Sequence, residues 1–164
     1  MNRNGPETSD RIIIMKVIPI LLSLWIVISG TVTAEQSWHT EVKAALSASA
    51  QSGKPVLAKF TGSDWCIACI KLDMDIFSKP AFVKEASKHY ELLIVDEPMR
   101  NKEVSLRNRP YFKKYGVKSV PAVLLLKSNG KEYYRCNPKE TPTVKGLLSQ
   151  ISPANVKQVL QGGE

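Results

Sequence analysis

Pro55-Val56-Leu57-Ala58-Lys59-Phe60-Thr61-Gly62-Ser63-Asp64-Trp65-Cys66-Ile67-Ala68-Cys69, residues 55–69, is the stretch whose reading decides the fold of this chain. Pro55 to Phe60 is short and apolar, and the turn-forming Thr61-Gly62-Ser63-Asp64 follows it. That pattern describes a buried strand delivering the chain to a loop. Two cysteines three positions apart come next. Beyond them Ile70, Met74 and Phe77 recur at helical spacing, with Asp73 and Asp75 off that face. The expectation is a strand, a loop and a helix, with Cys66 in the helix's first turn.

A cysteine there meets backbone N–H groups that have no intrahelical partner and the positive end of the helix dipole, both of which favour a thiolate. Geometry then assigns roles: Cys66 attacks a disulfide, and Cys69, one turn further in, resolves the product. Trp65 would cover the pair and offer apolar surface to a substrate. Two other readings of the pair stay open at this point. It is half of a zinc site if two more ligands join it, but only Cys136, His39 and His89 are available and they are scattered. It also closes into a permanent structural disulfide at this spacing. Redox chemistry is preferred, with no metal and no cofactor. Asp64 is expected to help cap the helix, its charge opposing a thiolate at Cys66. Cys136 is read as a small buried hydrophobe, and His39 and His89 as surface residues.

The chain has 164 residues, 43% of them apolar, enough for one domain with a core. Three cysteines are too few for a disulfide-stapled scaffold, which again favours chemistry. The formal charge of +8 is spread along the chain and interleaved with acids, with no basic arm or helix face. A nucleic-acid partner is therefore not expected. Weak attraction to anionic membranes or acidic partners is the alternative to a merely solvated surface.

Val17 to Ser29 (VIPILLSLWIVIS) is almost wholly apolar, is preceded by Arg11 and Lys16, and leads to Gly30-Thr31-Val32-Thr33-Ala34. A basic flank, a run short for a bilayer and small residues before a cleavage point describe a signal peptide over 1–34, cut after Ala34. The expected product is an exported, periplasmic domain over 35–164, with 20 basic and 13 acidic residues. An uncleaved membrane anchor is the alternative, and Met15 an alternative start.

Further elements follow from pattern. Thr40 to Ser52 reads as an N-terminal helix capped by Thr40 and ended by Gly53, and Pro80 to His89 as a second helical piece. Glu91 to Asp96 is a central strand, followed by a charged loop. A helix over about 104–115 contains Pro110, which argues for a break or kink. Ser119 to Lys127 is the strongest strand signal, joined through Ser128-Asn129-Gly130 to a strand ending at Cys136. A helix over 141–151 and a short one after Pro153 close the chain.

These residues resemble the thioredoxin superfamily over about 56–148. Two features carry the resemblance: the run Phe60 to Cys69, and Tyr115-Gly116-Val117-Lys118-Ser119-Val120-Pro121 some fifty residues later. The lead-in Thr-Gly-Ser-Asp-Trp-Cys and the leader are similar to exported bacterial oxidoreductases of the DsbH type and, more distantly, to the carboxy-terminal domain of DsbD. The resemblance implies an α/β thioredoxin fold, a central mixed sheet flanked by helices with an N-terminal helical extension. It implies a cis Pro121 beside the dithiol and a Val120 backbone that pairs with bound substrate. It also implies a thiol–disulfide oxidoreductase, a reductase or isomerase of exported cysteine-containing proteins, monomeric and served by a membrane or periplasmic redox partner. A net dithiol oxidase and a non-catalytic peptide-binding module are the alternatives. Ile67-Ala68 departs from the family's usual intervening pairs, and no histidine stands inside the motif. Lys59 falls where thioredoxins place a buried Asp. Either it is a buried amine serving proton transfer or it reaches solvent from a strand end; the second is preferred.

Overall fold

The computed structural model describes residues 38–162 and, ahead of them, Met1. The expected leader, its cleavage point and the alternative start lie outside the described residues.

The chain enters through His39, whose backbone N–H donates to the Leu92 carbonyl at 2.8 Å and whose carbonyl accepts from Ile94 at 2.9 Å. Helix α1 (Val42–Ser52) buries Val42, Ala45 and Ser49. Its cap is Glu41, without a side-chain cap bond, and not Thr40; Gly53, at φ 74, turns the chain out of it in a left-handed conformation. Strand β1 (Val56–Thr61) follows, with all six residues buried. After the dithiol loop come α2 (Ile67–Leu72), a π-helical segment (Asp73–Phe77), α3 (Pro80–Ala86) and β2 (Glu91–Asp96). Then α4 (Lys102–Lys114), β3 (Ala122–Leu126), β4 (Glu132–Cys136), α5 (Val144–Gln150) and α6 (Pro153–Gln161) complete the order.

The strands lie β2-β1-β3-β4. β1 is parallel to β2 and antiparallel to β3, and β3 is antiparallel to β4. This is the expected mixed sheet. β1 therefore sits inside it, with a neighbour on each edge, and side-chain alternation sends its residues to two cores. Leu57 joins Leu92, Val123 and Leu125 under Leu72, Ile76, Phe77, Phe82, Leu147 and Ile151. Val56, Ala58 and Phe60 join Leu93, Val95, Leu124 and Leu126 under Val42, Ala45, Phe112 and Tyr115. The sheet is thus covered by helices on both faces.

α4 runs unbroken through Pro110. Pro110 and Leu106, whose carbonyl loses its i+4 donor, are both exposed, so water can meet that carbonyl. β3 begins at Ala122 and not at Ser119, since residues 119–121 form a bend ahead of it.

Candidate active site

The loop after β1 is held by bonds reaching across to the end of β2. Ser63 donates its N–H and its hydroxyl to the Asp96 carboxylate at 2.9 and 2.6 Å. Trp65 Nε1–H donates to the Glu97 carbonyl at 2.8 Å, leaving the indole 46% exposed. Gly62 makes that position possible, since a Cβ there would fall 2.6 Å from Trp65 Nε1.

Asp64 does not cap the dithiol helix. Its carboxylate accepts the Met99 and Arg100 N–H groups at 2.9 and 2.8 Å, and these bonds hold it below the usual carboxylate range. The cap is Cys66 itself. Its backbone is extended, α2 begins one residue later, and its Sγ accepts the Cys69 N–H at 3.2 Å. The two cysteines form a disulfide, their Cα atoms 5.2 Å apart, and both are buried. Cys66 Sγ lies 3.9 Å from the Val120 carbonyl oxygen, so the cis Val120–Pro121 bond borders the dithiol. Trp65, Cys66, Cys69, Val120 and Pro121 are thereby gathered in one place.

The inward face of the dithiol helix differs from the expected one. Cys69, Leu72, Ile76 and Phe77 are buried, whereas Ile70 and Met74 are exposed and border a cavity of about 470 Å³. The widening to π geometry at Asp73 shifts the helical phase and places Ile76 and Phe77 side by side in the core.

Lys59 does not reach solvent. It shares β1's alternation with Leu57, which directs it beneath the dithiol helix, and it is 5% exposed. Its ammonium lies 4.9 Å from the Trp38 ring centroid and 4.8 Å from that of Phe77, and it forms an ion pair with Asp73. Asp73 also accepts the Ser78 hydroxyl at 2.7 Å. Burial pushes the Asp73 carboxyl up, but the hydrogen bonds from Lys59 and Ser78 outweigh it and leave it below its ordinary value. Lys59, Asp73 and Cys69 line the same cavity.

Sequence reasoning missed Asp73, Asp96 and Glu97 as site residues. Asp73 becomes recognisable only once Lys59 is known to point inward and to require a counter-charge. His39 is half-buried, its Nε2 3.3 Å from Glu91, while His89 is exposed. Cys136 is 9% exposed, and burial, with a smaller effect of Glu140, pushes its thiol up to about 12. Among the described residues no cluster of three His, Cys, Asp or Glu side chains is placed to hold a metal ion.

The family profile described as "Thioredoxin-like domain" matches residues 42–142. Disulfide bond reductase DsbH of Chlamydia pneumoniae is 32% identical over 105 residues, covering 62% of this chain and 63% of that protein. Thioredoxin-related protein DsbJ of the same organism is 26% identical over 106 residues, covering 60% of this chain and 29% of that protein. The chain therefore spans less than two thirds of the length of either curated relative. A solved structure of a DsbH oxidoreductase superposes with a TM-score of 0.65 at 29% identity, covering 74% of this chain and 85% of that one. With more than half of its residues inside the profile, and its cysteine pair where a strand hands over to a helix in a sheet of this order, the chain belongs to the thioredoxin-like domain family.

Proposed function

We propose that this chain is an exported thiol–disulfide oxidoreductase that reduces or isomerises disulfides in exported proteins through Cys66 and Cys69. The observation that carries the reading is the position of Cys66 Sγ: at the start of a helix, accepting a backbone N–H, bonded to Cys69 and beside the Val120 carbonyl. A sulfur so placed is stabilised as a thiolate when the pair is reduced.

In the reduced protein the Cys66 thiolate attacks one sulfur of a substrate disulfide. That bond breaks, a mixed disulfide forms, and the departing substrate thiolate takes up a proton. Cys69, deprotonated, then attacks Cys66 Sγ and releases the second substrate sulfur. Two electrons have passed to the substrate, and the protein is left with the Cys66–Cys69 disulfide observed here. In isomerisation a thiol of the substrate resolves the intermediate before Cys69 does. A membrane or periplasmic dithiol partner restores the reduced pair by the same exchange in reverse.

We assign Lys59, with Asp73, to the proton step at Cys69. All three border one cavity, so the thiolate left when Cys69 loses its proton has an ammonium bordering the same space, and Asp73 holds that ammonium in place. Trp65 supplies an exposed indole to the substrate, and Val120, ahead of Pro121, supplies backbone groups to an extended substrate chain. Export through a leader over 1–34 would place the dithiol in an oxidising compartment, where substrate disulfides persist and a dedicated partner must re-reduce it. No helix among the described residues is long and apolar enough to cross a membrane.

The test compares the mature protein with its Cys66→Ser and Cys69→Ser variants in a disulfide-reduction assay and in repair of a scrambled substrate. Cys66→Ser is expected to be inactive, and Cys69→Ser to accumulate a mixed disulfide visible by mass. Wild-type turnover by Cys66→Ser would sink the reading.

A further inference from the structure

A groove of about 440 Å³ opens at Pro121, the residue after the carbonyl that borders Cys66 Sγ, and is lined also by Lys118, Ser119, Arg135, Asn137 and Lys139. Among the described residues no acidic side chain borders it. The charge of Arg135 is matched, because its guanidinium donates to both Glu132 carboxylate oxygens at 2.7 and 2.8 Å. Lys118 and Lys139 are different: both are exposed, and neither takes part in an ion pair among the described residues. Glu140, next to Lys139, is the nearby acid; it acts on Cys136 but lies outside the lining.

The other flank of the dithiol is mixed in sign: Asp64 and Asp96 stand near Trp65, but Arg100 acts on Asp64, and Lys102 and Arg109 border the same hollow as Trp65. Lys118 stands only two residues before Val120, whose carbonyl oxygen lies 3.9 Å from Cys66 Sγ. Two residues span at most about 7 Å of backbone, within the ~8 Å over which charges act at physiological ionic strength.

We infer that this groove selects substrates by charge: the segment of the disulfide-bearing polypeptide that lies along Pro121 is acidic, and Lys118 and Lys139 are the residues that recognise it. The inference rests on the proposed exchange at Cys66 and names the substrate class of that site. A chain acidic on the Pro121 side meets two unpaired ammonium groups there. A basic one meets like charge, which costs affinity and slows encounter.

The experiment uses three disulfide-linked peptide pairs identical except for Asp, Ser or Lys flanking the cysteine, with the mature wild-type protein and a Lys118→Glu/Lys139→Glu variant. Two quantities are read at low and at physiological salt: kcat/KM for reduction, and affinity of cysteine-to-serine versions of the peptides by titration. Wild type is expected to favour the Asp peptide over the Lys peptide about fivefold in both quantities, less at higher salt, and the variant to reverse the order. A reversed order also shows that the variant is folded. Equal kcat/KM and equal affinity for all three peptides, or an unchanged preference in the variant, would overturn the inference while leaving the exchange chemistry intact. Charge-ordered binding without reduction of any peptide would support the groove and count against the proposed exchange.

Discussion

The carboxylate of Asp73, on the π-helical segment that continues the dithiol helix, is ion-paired with the ammonium of Lys59, which β1 holds beneath that helix. The pair is unequal: the Lys59 side chain is 6% exposed and that of Asp73 44%. Removing the carboxylate strands an ammonium under Trp38 and Phe77, whereas removing the lysine leaves a carboxylate that water can reach.

Asp73→Asn should therefore cost about 1–3 kcal/mol of stability, below the loss for a fully buried pair, while Lys59→Met should be near neutral. The pH dependence has a definite sign. The folded Asp73 carboxyl lies below its ordinary value of 3.8, so its contribution is present above that pH and is lost as pH falls through and beneath it. Urea unfolding from neutral pH down to about pH 3 should show the wild type losing its advantage over Asp73→Asn in the acid limb. Parallel curves for the two proteins would contradict the pairing.

Gly62→Ala should displace Trp65. The new methyl would sit 2.6 Å from Trp65 Nε1, so the indole leaves its bond to the Glu97 carbonyl and the loop gives way. A loss of about 1–3 kcal/mol is expected, with a change in tryptophan emission that is absent when the same substitution is made in a Trp65→Phe background. Unchanged emission would mean that the indole is not held where it is described.

Cys136 should behave as an inert thiol. With its titration pushed up to about 12, it carries almost no thiolate at neutral pH. In the reduced native protein an alkylating reagent should label Cys66 first, and Cys136 only after unfolding. Equal labelling rates read by mass would refute this.

The reduction potential should lie well below the ~−120 mV of a strong oxidant such as DsbA. Ile67-Ala68 places no histidine beside Cys66, so its thiolate draws on the helix start and the Cys69 N–H. Equilibration in glutathione buffers gives the number. A value near −120 mV would make the protein a net oxidant.

The fold was readable because β1, β3 and the dithiol helix each announce themselves locally: two short apolar runs, a turn at Thr61 to Asp64, and a cysteine pair at a helix start. Lys59 was misplaced for a non-local reason. Whether a lysine near a strand end meets water depends on what covers that face of the sheet, and Trp38, Phe77 and Asp73, none of them a strand neighbour, close over Lys59 there. Asp73 was invisible for the same reason, its partner being Lys59 across the sheet-to-helix interface. The phase of the dithiol helix misled because a π segment adds a residue to one turn, and no spacing of Ile70, Met74 and Phe77 reveals that. Asp64 was given the wrong partner because Cys66 supplies its own cap and leaves the carboxylate to the Met99 and Arg100 amides.

That self-supplied cap separates two variants that look interchangeable. Serine is among the preferred residues at a helix start and can take over the Cys69 N–H, whereas alanine offers no acceptor. Cys66→Ser thus removes the nucleophile and keeps the first turn tied, and Cys66→Ala unties it at a cost of about 1 kcal/mol. The sulfur that would react with substrate is also the fastener of the helix presenting it, so the serine protein is the suitable redox-silent control and the alanine protein, with its first turn untied, is not.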